Sequence, residues 1–261
     1  MQTMHYMLYK ITDILLYHDM DFFSKHIEKI RSFIERKKQN GSVSELSFDQ
    51  NLTWPEGNNR NIVLAPDMAV ELGNPRDTST SFFLWTDDPD KVRNGQITIV
   101  GPELKKCQGK SLPFGKIVLV SGRDFNEDNS YERYREMESL RYELNLKGYM
   151  LRAASQYKRE WSRISNEALD KGLSFAVLGS ALMKQLYAFE YIEAVEVIFI
   201  TSSRDDVFEM WSVNEEISRI IGAMNKMMQE LSFDCDSCDF TDVCSEVSDL
   251  RHMRDSMMKK V

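Results

Sequence analysis

The feature that most constrains the fold is a series of short runs of β-branched and aromatic residues in the first half of the chain, several of them followed by glycine, proline or asparagine. Such runs are typical of buried strands. The connections between them are too short for many helices. The runs cover residues 62–64, 69–72, 81–85, 97–100 and 115–120. We therefore predict a sheet in this part of the chain.

Helical periodicity dominates the rest of the sequence, where apolar residues recur every three or four positions. Strands interleaved with helices indicate an α/β fold, with α+β as the alternative, built on a mixed sheet with flanking helices. The predicted helical segments are 4–38, 132–151, 174–189, 205–231 and 245–260, and a further strand covers 195–201.

The same pattern predicts three regions. Residues 1–50 form a helical N-terminal appendage, and residues 51–210 form the domain that contains the sheet. Residues 211–261 begin with a long helix and continue as a cysteine-bearing helical segment. We find no internal repeat and no low-complexity tract.

Composition excludes several classes of function. The net charge of -8 and the pI of about 5.2 argue against a nucleic-acid-binding protein, which is usually basic. No apolar stretch approaches the roughly 20 residues of a membrane helix. The N-terminus has no apolar run preceded by basic residues, so the sequence predicts no signal peptide. We therefore expect a cytoplasmic protein without membrane contact, in which thiols stay reduced.

Three of the four cysteines lie together near the end of the sequence. Cys235, Cys238 and Cys244 form a C-x2-C-x5-C pattern, which can bind zinc or an iron–sulfur cluster. The alternative is a loop that merely contains three thiols. A complete set needs a fourth ligand, for which Cys107, His252, an aspartate, a partner's cysteine or an exogenous molecule are the candidates. Gel filtration would test whether a homodimer supplies it.

The residues around these thiols favour an occupied site. Four aspartates lie within the same short run, and their negative charge opposes formation of thiolates unless a cation is bound. These residues are Asp234, Asp236, Asp239 and Asp242. Cys107, by contrast, lies in a basic loop, which predicts a lone exposed thiol; the alternative is a thiol whose pKa the neighbouring lysines lower.

A second candidate site is the most concentrated basic and aromatic patch of the chain. Arg159, Trp161 and Arg163 alternate with other residues, and Arg152 lies upstream. Guanidinium groups suit phosphate or pyrophosphate, and an indole face suits a flat base such as adenine. The alternative is a helix surface with ordinary salt bridges and a packed tryptophan.

Four segments, taken in order, resemble a known family. They are Val70–Pro75, Asp90–Leu104, Leu112–Arg123 and Gln156–Thr201. Together they are similar to the middle domain of acetyl-CoA synthase, the β subunit of the carbon monoxide dehydrogenase/acetyl-CoA synthase complex. The resemblance covers roughly residues 60–202, and therefore most of the predicted domain 51–210.

The resemblance implies a function in one-carbon, carbon monoxide and acetyl-CoA metabolism of an anaerobe. It implies an iron–sulfur cluster, [4Fe-4S], in preference to zinc, with Cys235 and Cys238 matching the family's opening pair and Cys244 its third ligand after a shorter loop. The family's fourth cluster cysteine has no counterpart here. The resemblance also implies coenzyme A as the ligand of Arg159, Trp161 and Arg163, although Met150 stands near where the family has an aromatic residue.

The sequence as given ends at Val261 and lacks the family's nickel-binding domain, so we expect that this chain alone does not form the acetyl C–C bond. If it is an enzyme, it is a component related to CO-methylating acetyl-CoA synthase or a redox component, acting with a protein partner or as a homodimer. The alternative function is a non-catalytic interaction or scaffold module stapled by zinc or a cluster.

Overall fold

The computed structural model describes residues 22–57, 61–155, 158–229, 235 and 238–258. The described helices are α1 (Ser24–Gln39), α2 (Ser130–Glu143), α3 (Asn166–Asp170), α4 (Phe175–Leu186), α5 (Arg204–Gln229), α6 (Thr241–Glu246) and α7 (Ser248–Met258). The strands are β1 (Val43–Ser47), β2 (Met68–Leu72), β3 (Ser79–Thr86), β4 (Gln96–Val100), β5 (Lys110–Leu112), β6 (Phe114–Gly122), β7 (Tyr149–Ser155), β8 (Arg159–Ser165) and β9 (Ile192–Ile200).

The strands form two mixed sheets. The larger has the order β1-β4-β9-β6-β3, and the smaller has the order β5-β2-β8-β7. The larger sheet joins β4 to β9 and β3 to β6 in parallel, whereas β6 and β9 are antiparallel. The predicted α/β class with a mixed sheet and flanking helices is confirmed.

Helices cover both faces of the larger sheet. Glu196 and Phe199 of β9 are three positions apart and therefore point to opposite faces. On one face Arg31 of α1 donates to the buried Glu196 carboxylate at 2.6 Å. On the other face Phe175 of α4 stacks on Phe199, with 4.5 Å between ring centroids. The sheet interior is therefore closed to water on both sides, which explains its unbroken apolar strands.

The smaller sheet packs against the face of the larger one that carries Phe199. Ser81 of β3 donates to Glu160 of β8 at 3.2 Å, and the Ser81 amide donates to the Lys158 carbonyl at 3.0 Å. Gly73 follows β2 with φ of 68°, and a Cβ there would lie 2.4 Å from the Glu160 carbonyl oxygen. Only glycine allows β8 to pass this close.

The long helix α5 crosses the opposite face of the larger sheet. Asn214 of α5 donates to Thr80 Oγ1 on β3 at 2.9 Å, and a row of apolar side chains on the same helix is buried. Buried residues from Phe22 to Met253 form one continuous hydrophobic core. The predicted division at residues 50 and 210 remains a prediction, because shared packing does not say which parts fold independently.

Local capping agrees with the sequence in the middle of the chain. Ser165 accepts a hydrogen bond from Ala168 N at the start of α3, and Ser174 accepts one from Val177 N at the start of α4. Helix α4 occupies most of the predicted segment 174–189, and β9 covers most of 195–201. Residues 1–21, which include most of the first predicted helix, lie outside the described part.

Two predictions of secondary structure are wrong. The helix predicted over 132–151 ends at Glu143, because Gly148 adopts a left-handed φ of 81° and the chain then enters β7. Residues 62–64 form no strand, and Ile62 and Leu64 are exposed at 61% and 59%. Periodicity alone missed the β7–β8 hairpin, because the apolar residues of β7 continue the preceding helical pattern and the inward positions of β8 include Glu160 and Ser162.

Candidate functional site

Strand β8 separates the candidate basic face from a buried network of charged groups. Its residues alternate, so that Arg159, Trp161 and Arg163 point outward while Glu160 is buried at 1% exposure. The basic–aromatic patch is therefore a strand surface and not a helix surface. What lies beneath the strand fixes the position of the outer side chains.

The buried network joins the two sheets. The Lys116 ammonium of β6 forms an ion pair with Glu160, and the Tyr149 hydroxyl donates to the same carboxylate at 2.9 Å. Arg141 of α2 donates to the Ser81 carbonyl at 3.0 Å. Burial alone would raise the pKa of Glu160, but the charges of Lys116 and Arg141 outweigh it, so this pKa is lowered and the carboxylate stays ionised.

On the outer face, two arginines contact Trp161. The guanidinium carbon of Arg152 lies 4.6 Å from the ring centroid, and that of Arg163 lies at 6.0 Å. Arg163 Nε donates to Glu71 on β2 at 2.7 Å, which orients its guanidinium group. These residues form a partly exposed aromatic surface between two cations, suited to a flat ring bearing negative charge.

Glu71 is the acidic member of this surface, and sequence analysis did not identify it as a site residue. Burial would raise the pKa of Glu71, but hydrogen bonds from Asn74 and Arg163 reverse the effect and lower it. The Trp161 indole N–H lies close enough to help lower this pKa, yet it is not aligned for a hydrogen bond. The indole nitrogen is buried beside Glu71, so it takes no part in the exposed surface.

The guanidinium group of Arg159 lies over a tryptophan other than Trp161. Its guanidinium carbon lies instead 4.8 Å from the ring centroid of Trp211 on α5, which Lys158 Nζ also approaches at 5.8 Å. Met150 pairs with Arg163 across β7 and β8, so it does lie on the predicted surface. The predicted trio is therefore divided, with Arg152 taking the place of Arg159.

The three C-terminal cysteines are held by a short turn and the helix that follows it. Cys238 N donates to the Cys235 carbonyl at 3.4 Å. The Thr241 hydroxyl contacts the carbonyls of Cys235 and Cys238 at 2.5 and 2.9 Å. Cys244 is buried one turn later, in α6. The turn places the first two residues beside the helix that carries the third.

The electrostatic surroundings show that the three thiols are neighbours. Burial raises the pKa of the Cys244 thiol, and the thiols of Cys238 and Cys235 act in the same direction. The Arg254 guanidinium on α7 lies near Cys235 and Cys244 and acts in the opposite direction. Without a bound cation, Cys244 is therefore a neutral thiol at neutral pH.

One of the surrounding aspartates agrees with expectation, whereas Cys107 does not. Asp242 pairs with Arg219 of α5 at 2.6 Å, and its charge nevertheless helps to raise the pKa of the Cys244 thiol, as predicted. Asp234 and Asp236 lie outside the described residues. Cys107 is buried, at 1% exposure, and burial raises its pKa, so the predicted exposed thiol and the alternative of a lowered pKa are both wrong.

The fourth ligand is not identified by the structure. Within the described ranges, no three His, Cys, Asp or Glu side chains converge closely enough to hold a single metal ion. His252 is exposed on α7. The Cys107 thiol lies 3.4 Å from the Glu103 carbonyl, and its charged neighbours are Glu103 and Lys110 rather than the C-terminal cysteines. The ligand set of Cys235, Cys238 and Cys244 remains a prediction.

Sequence analysis missed Thr241, Trp211 and Arg254. Thr241 lies between the second and third cysteines, where its position alone could have suggested a turn-stabilising hydroxyl. Trp211 and Arg254 lie far along the chain from the groups they contact, so no local pattern reveals them.

Cavities of about 560 and 530 Å³ lie elsewhere, one beside Trp54 and Lys171 and the other beside His26 and Glu216.

None of the described helices has the length and apolar character needed to cross a membrane.

Residues 56–206 match the family model described as CO dehydrogenase/acetyl-CoA synthase complex beta subunit. This match covers more than half of the chain and includes the residues that carry the resemblance.

Curated relatives agree with this match. The acetyl-CoA decarbonylase/synthase complex subunit beta 1 of Methanosarcina thermophila is 29% identical over 188 residues, covering 68% of this chain and 38% of the relative. The corresponding beta subunit of Methanothermobacter thermautotrophicus is 31% identical, covering 53% of this chain and 29% of the relative. The carbon monoxide dehydrogenase/acetyl-CoA synthase subunit alpha of Moorella thermoacetica is 27% identical, covering 54% of this chain and 18% of the relative.

The chain thus spans well under half the length of these curated relatives. The expected resemblance is nonetheless confirmed, since the family match and the relatives identify the same group of proteins. The chain belongs to the family of the CO dehydrogenase/acetyl-CoA synthase complex beta subunit.

Proposed function

We propose that this chain is a β-subunit-related iron–sulfur protein of one-carbon, carbon monoxide and acetyl-CoA metabolism. Cys235, Cys238 and Cys244 would hold the cluster. The observation that carries the proposal is the turn fixed by Thr241, which places the first two cysteines beside the helix that contains Cys244. The family membership of residues 56–206 supplies the metabolic context.

The resemblance to the family, and not the arrangement of the thiols, favours an iron–sulfur cluster over zinc. Cysteine thiolates bind both zinc and iron–sulfur clusters, and the three thiols are electrostatic neighbours. Zinc is therefore the alternative that metal analysis must distinguish from a cluster.

The surroundings also suit a group of negative charge. Arg254 lies near Cys235 and Cys244, and Arg219 offsets Asp242 at the start of α6. These cations reduce the repulsion that three thiolates would otherwise experience. A bound cluster would supply electron transfer or, at an iron without a protein ligand, a binding position for a small molecule. The fourth ligand would come from this chain, a partner or an exogenous molecule.

A coenzyme A-type ligand would bind on the outer face of β8. The half-buried Trp161 ring would stack on a flat part of the ligand, and the Arg152 and Arg163 guanidinium groups beside it would pair with its phosphates. We assign Arg152 to this surface in place of Arg159, because the Arg159 guanidinium lies over Trp211 instead. Glu71 would hold Arg163 in place through its Nε atom.

The relatives are named as subunits of acetyl-CoA decarbonylase/synthase or carbon monoxide dehydrogenase/acetyl-CoA synthase complexes. We propose accordingly that this chain acts with a protein partner. Its activity would be that of a redox component or of a component related to CO-methylating acetyl-CoA synthase. These roles share one requirement, which is a loaded cysteine site.

The decisive experiment is anaerobic purification followed by analysis of iron, sulfide, zinc and nickel, together with an absorption spectrum. We expect a brown protein that contains iron and sulfide and that loses both in Cys235→Ala and Cys244→Ala. Cys107→Ala is the matched control and should keep them. A colourless protein with stoichiometric zinc would refute the redox function and favour the scaffold module.

Binding of coenzyme A is tested separately by calorimetry. Trp161→Ala and Arg152→Ala should each weaken binding, whereas Arg123→Ala, an exposed arginine of another surface, should not. Loss of about 1–3 kcal/mol is expected for an aromatic stacking contact. Equal affinity in Trp161→Ala and the wild type would exclude this surface as the ligand site.

A further inference from the structure

One exposed aromatic surface is not used by the proposed function. It consists of Asp205, Phe208 and Trp211 on α5, together with Lys158 and Arg159 at the start of β8, and we name it the α5 face. Phe208 is 62% exposed, more than any other large hydrophobic side chain of the described residues. Phe208 and the partly exposed Trp211, neighbours on the same helix, form an apolar patch rimmed by charged residues, and such patches often mark a contact with another protein.

The three α5 residues are evenly spaced. Asp205, Phe208 and Trp211 follow one another at intervals of three, so they are neighbours along one side of the helix. Arg159 lies over the Trp211 ring at 4.8 Å, at the C-terminal end of this row. The row therefore has an anion at one end, a cation at the other and an exposed phenyl ring in the middle.

Within the part of the chain that the structure describes, neither end of this row is paired with an opposite charge. Lys158 pairs with Glu215 at 2.7 Å. Within the described ranges, by contrast, Arg159 has no carboxylate partner and Asp205 has no cationic partner, and both are exposed. An exposed ion pair between neighbouring molecules could satisfy both charges.

We propose that the α5 face is the contact between two copies of this chain, related by a two-fold axis through Phe208. In a two-fold contact each copy uses the same surface. Reversing the helix about Phe208 exchanges the position of Asp205 with that of Trp211. The Asp205 carboxylate of each copy then lies beside the Arg159 guanidinium of the other copy, which gives two ion pairs. The two Phe208 rings pack between them.

The composition of the surface fits such a contact. Trp, Phe and Arg are enriched at protein interfaces, and tryptophan and arginine dominate their binding energy. The net charge of -8 repels two copies at long range, and salt screens this repulsion while the local charges on the α5 face attract. Association should therefore be measured at physiological ionic strength.

The test is sedimentation velocity over a range of protein concentrations, with a reductant present so that disulfide-linked dimers do not form. The wild type should show a concentration-dependent dimer. Phe208→Ser should weaken association at least about tenfold. Tyr142→Ser is the matched control, since Tyr142 is 52% exposed on α2, and it should leave the dimer unchanged.

Charge reversal tests the two-fold geometry without altering the aromatic residues. Arg159→Asp and Asp205→Arg should each weaken association, and the double variant should restore it. A wild type that stays monomeric at every concentration, or a dimer that persists in Phe208→Ser, would overturn the proposal. A double variant no better than the weaker single variant would overturn the two-fold pairing. Circular dichroism confirms that each variant is folded.

Discussion

Replacement of Lys116 by methionine is the most informative test of how the two sheets are joined. Lys116 and Glu160 are 4% and 1% exposed, and their ion pair connects β6 to β8. Lys116→Met leaves a buried carboxylate without its closest cation. Removal of one partner from a buried pair typically costs about 3–5 kcal/mol.

We expect a loss near the lower limit, about 3 kcal/mol, because part of the network remains. Tyr149 and Ser81 still donate hydrogen bonds to Glu160, and the charge of Arg141 still acts on it. For a chain of this size, such a loss lowers the melting temperature by roughly 6–12 °C. The free energy of unfolding is measured by urea titration, with an unchanged m-value as a check on two-state behaviour.

The double variant Lys116→Met/Glu160→Leu separates the ion pair from simple packing. Removing both charges should recover much of the loss, since an apolar pair of similar volume no longer buries an unpaired charge. Lys171→Met, which removes an exposed i,i+4 partner of Glu167, is the control and should leave the melting temperature unchanged.

The effect of Lys116→Met should also depend on pH. In the wild type the pKa of Glu160 is lowered by folding. Its contribution to the free energy of unfolding is therefore present above the unfolded pKa and is lost as pH falls. In Lys116→Met the buried carboxylate favours its protonated form, so the variant loses stability as pH rises. The difference in free energy of unfolding between the wild type and Lys116→Met should therefore become smaller at acid pH. A loss below about 1 kcal/mol at neutral pH, or a double variant as unstable as the single one, would refute the argument.

Four further predictions concern stability. Burial lowers the pKa of His26 below its unfolded value of 6.5. Its contribution to the free energy of unfolding is therefore present above that pH and is lost as pH falls. Melting curves of His26→Gln at several pH values should lack this loss of stability in acid. Gly73→Ala should cost more than about 2 kcal/mol because its Cβ would collide with the Glu160 carbonyl. Gly109→Ala, with a φ of 76° and open space around it, should cost only about 1 kcal/mol. Ser165→Ala removes the cap of α3, and urea titration should show a loss of about 1 kcal/mol.

Much of the larger sheet could be predicted from sequence, because its strands are buried on both faces and therefore appear as continuous apolar runs. Runs such as 97–100 and 115–120 coincide with β4 and β6. The β7–β8 hairpin could not be predicted in this way. Its outer face carries Arg159, Trp161 and Arg163, so it has little of the apolar alternation by which half-buried strands are recognised.

The candidate sites show the same division. The C-x2-C-x5-C pattern locates Cys235, Cys238 and Cys244 directly, because turn and helix geometry bring residues so close in sequence to the same region. The neighbouring cation Arg254 comes from α7, and its approach depends on how that helix packs. Arg159 likewise differs from Trp161 and Arg163 in its surroundings because of α5, since the packing of this helix places Trp211 beside Arg159.

By itself, the sequence determined the fold class, the family and the positions of the cysteines, since these depend on local patterns and on ordered similarity along the chain. The tertiary structure alone decided that Glu160 meets Lys116, that Arg152 replaces Arg159 beside Trp161, and that Phe208 is exposed. These contacts join residues far apart in the chain. Side-chain partners at such separations are set by the packing of sheets and helices, which no local pattern encodes.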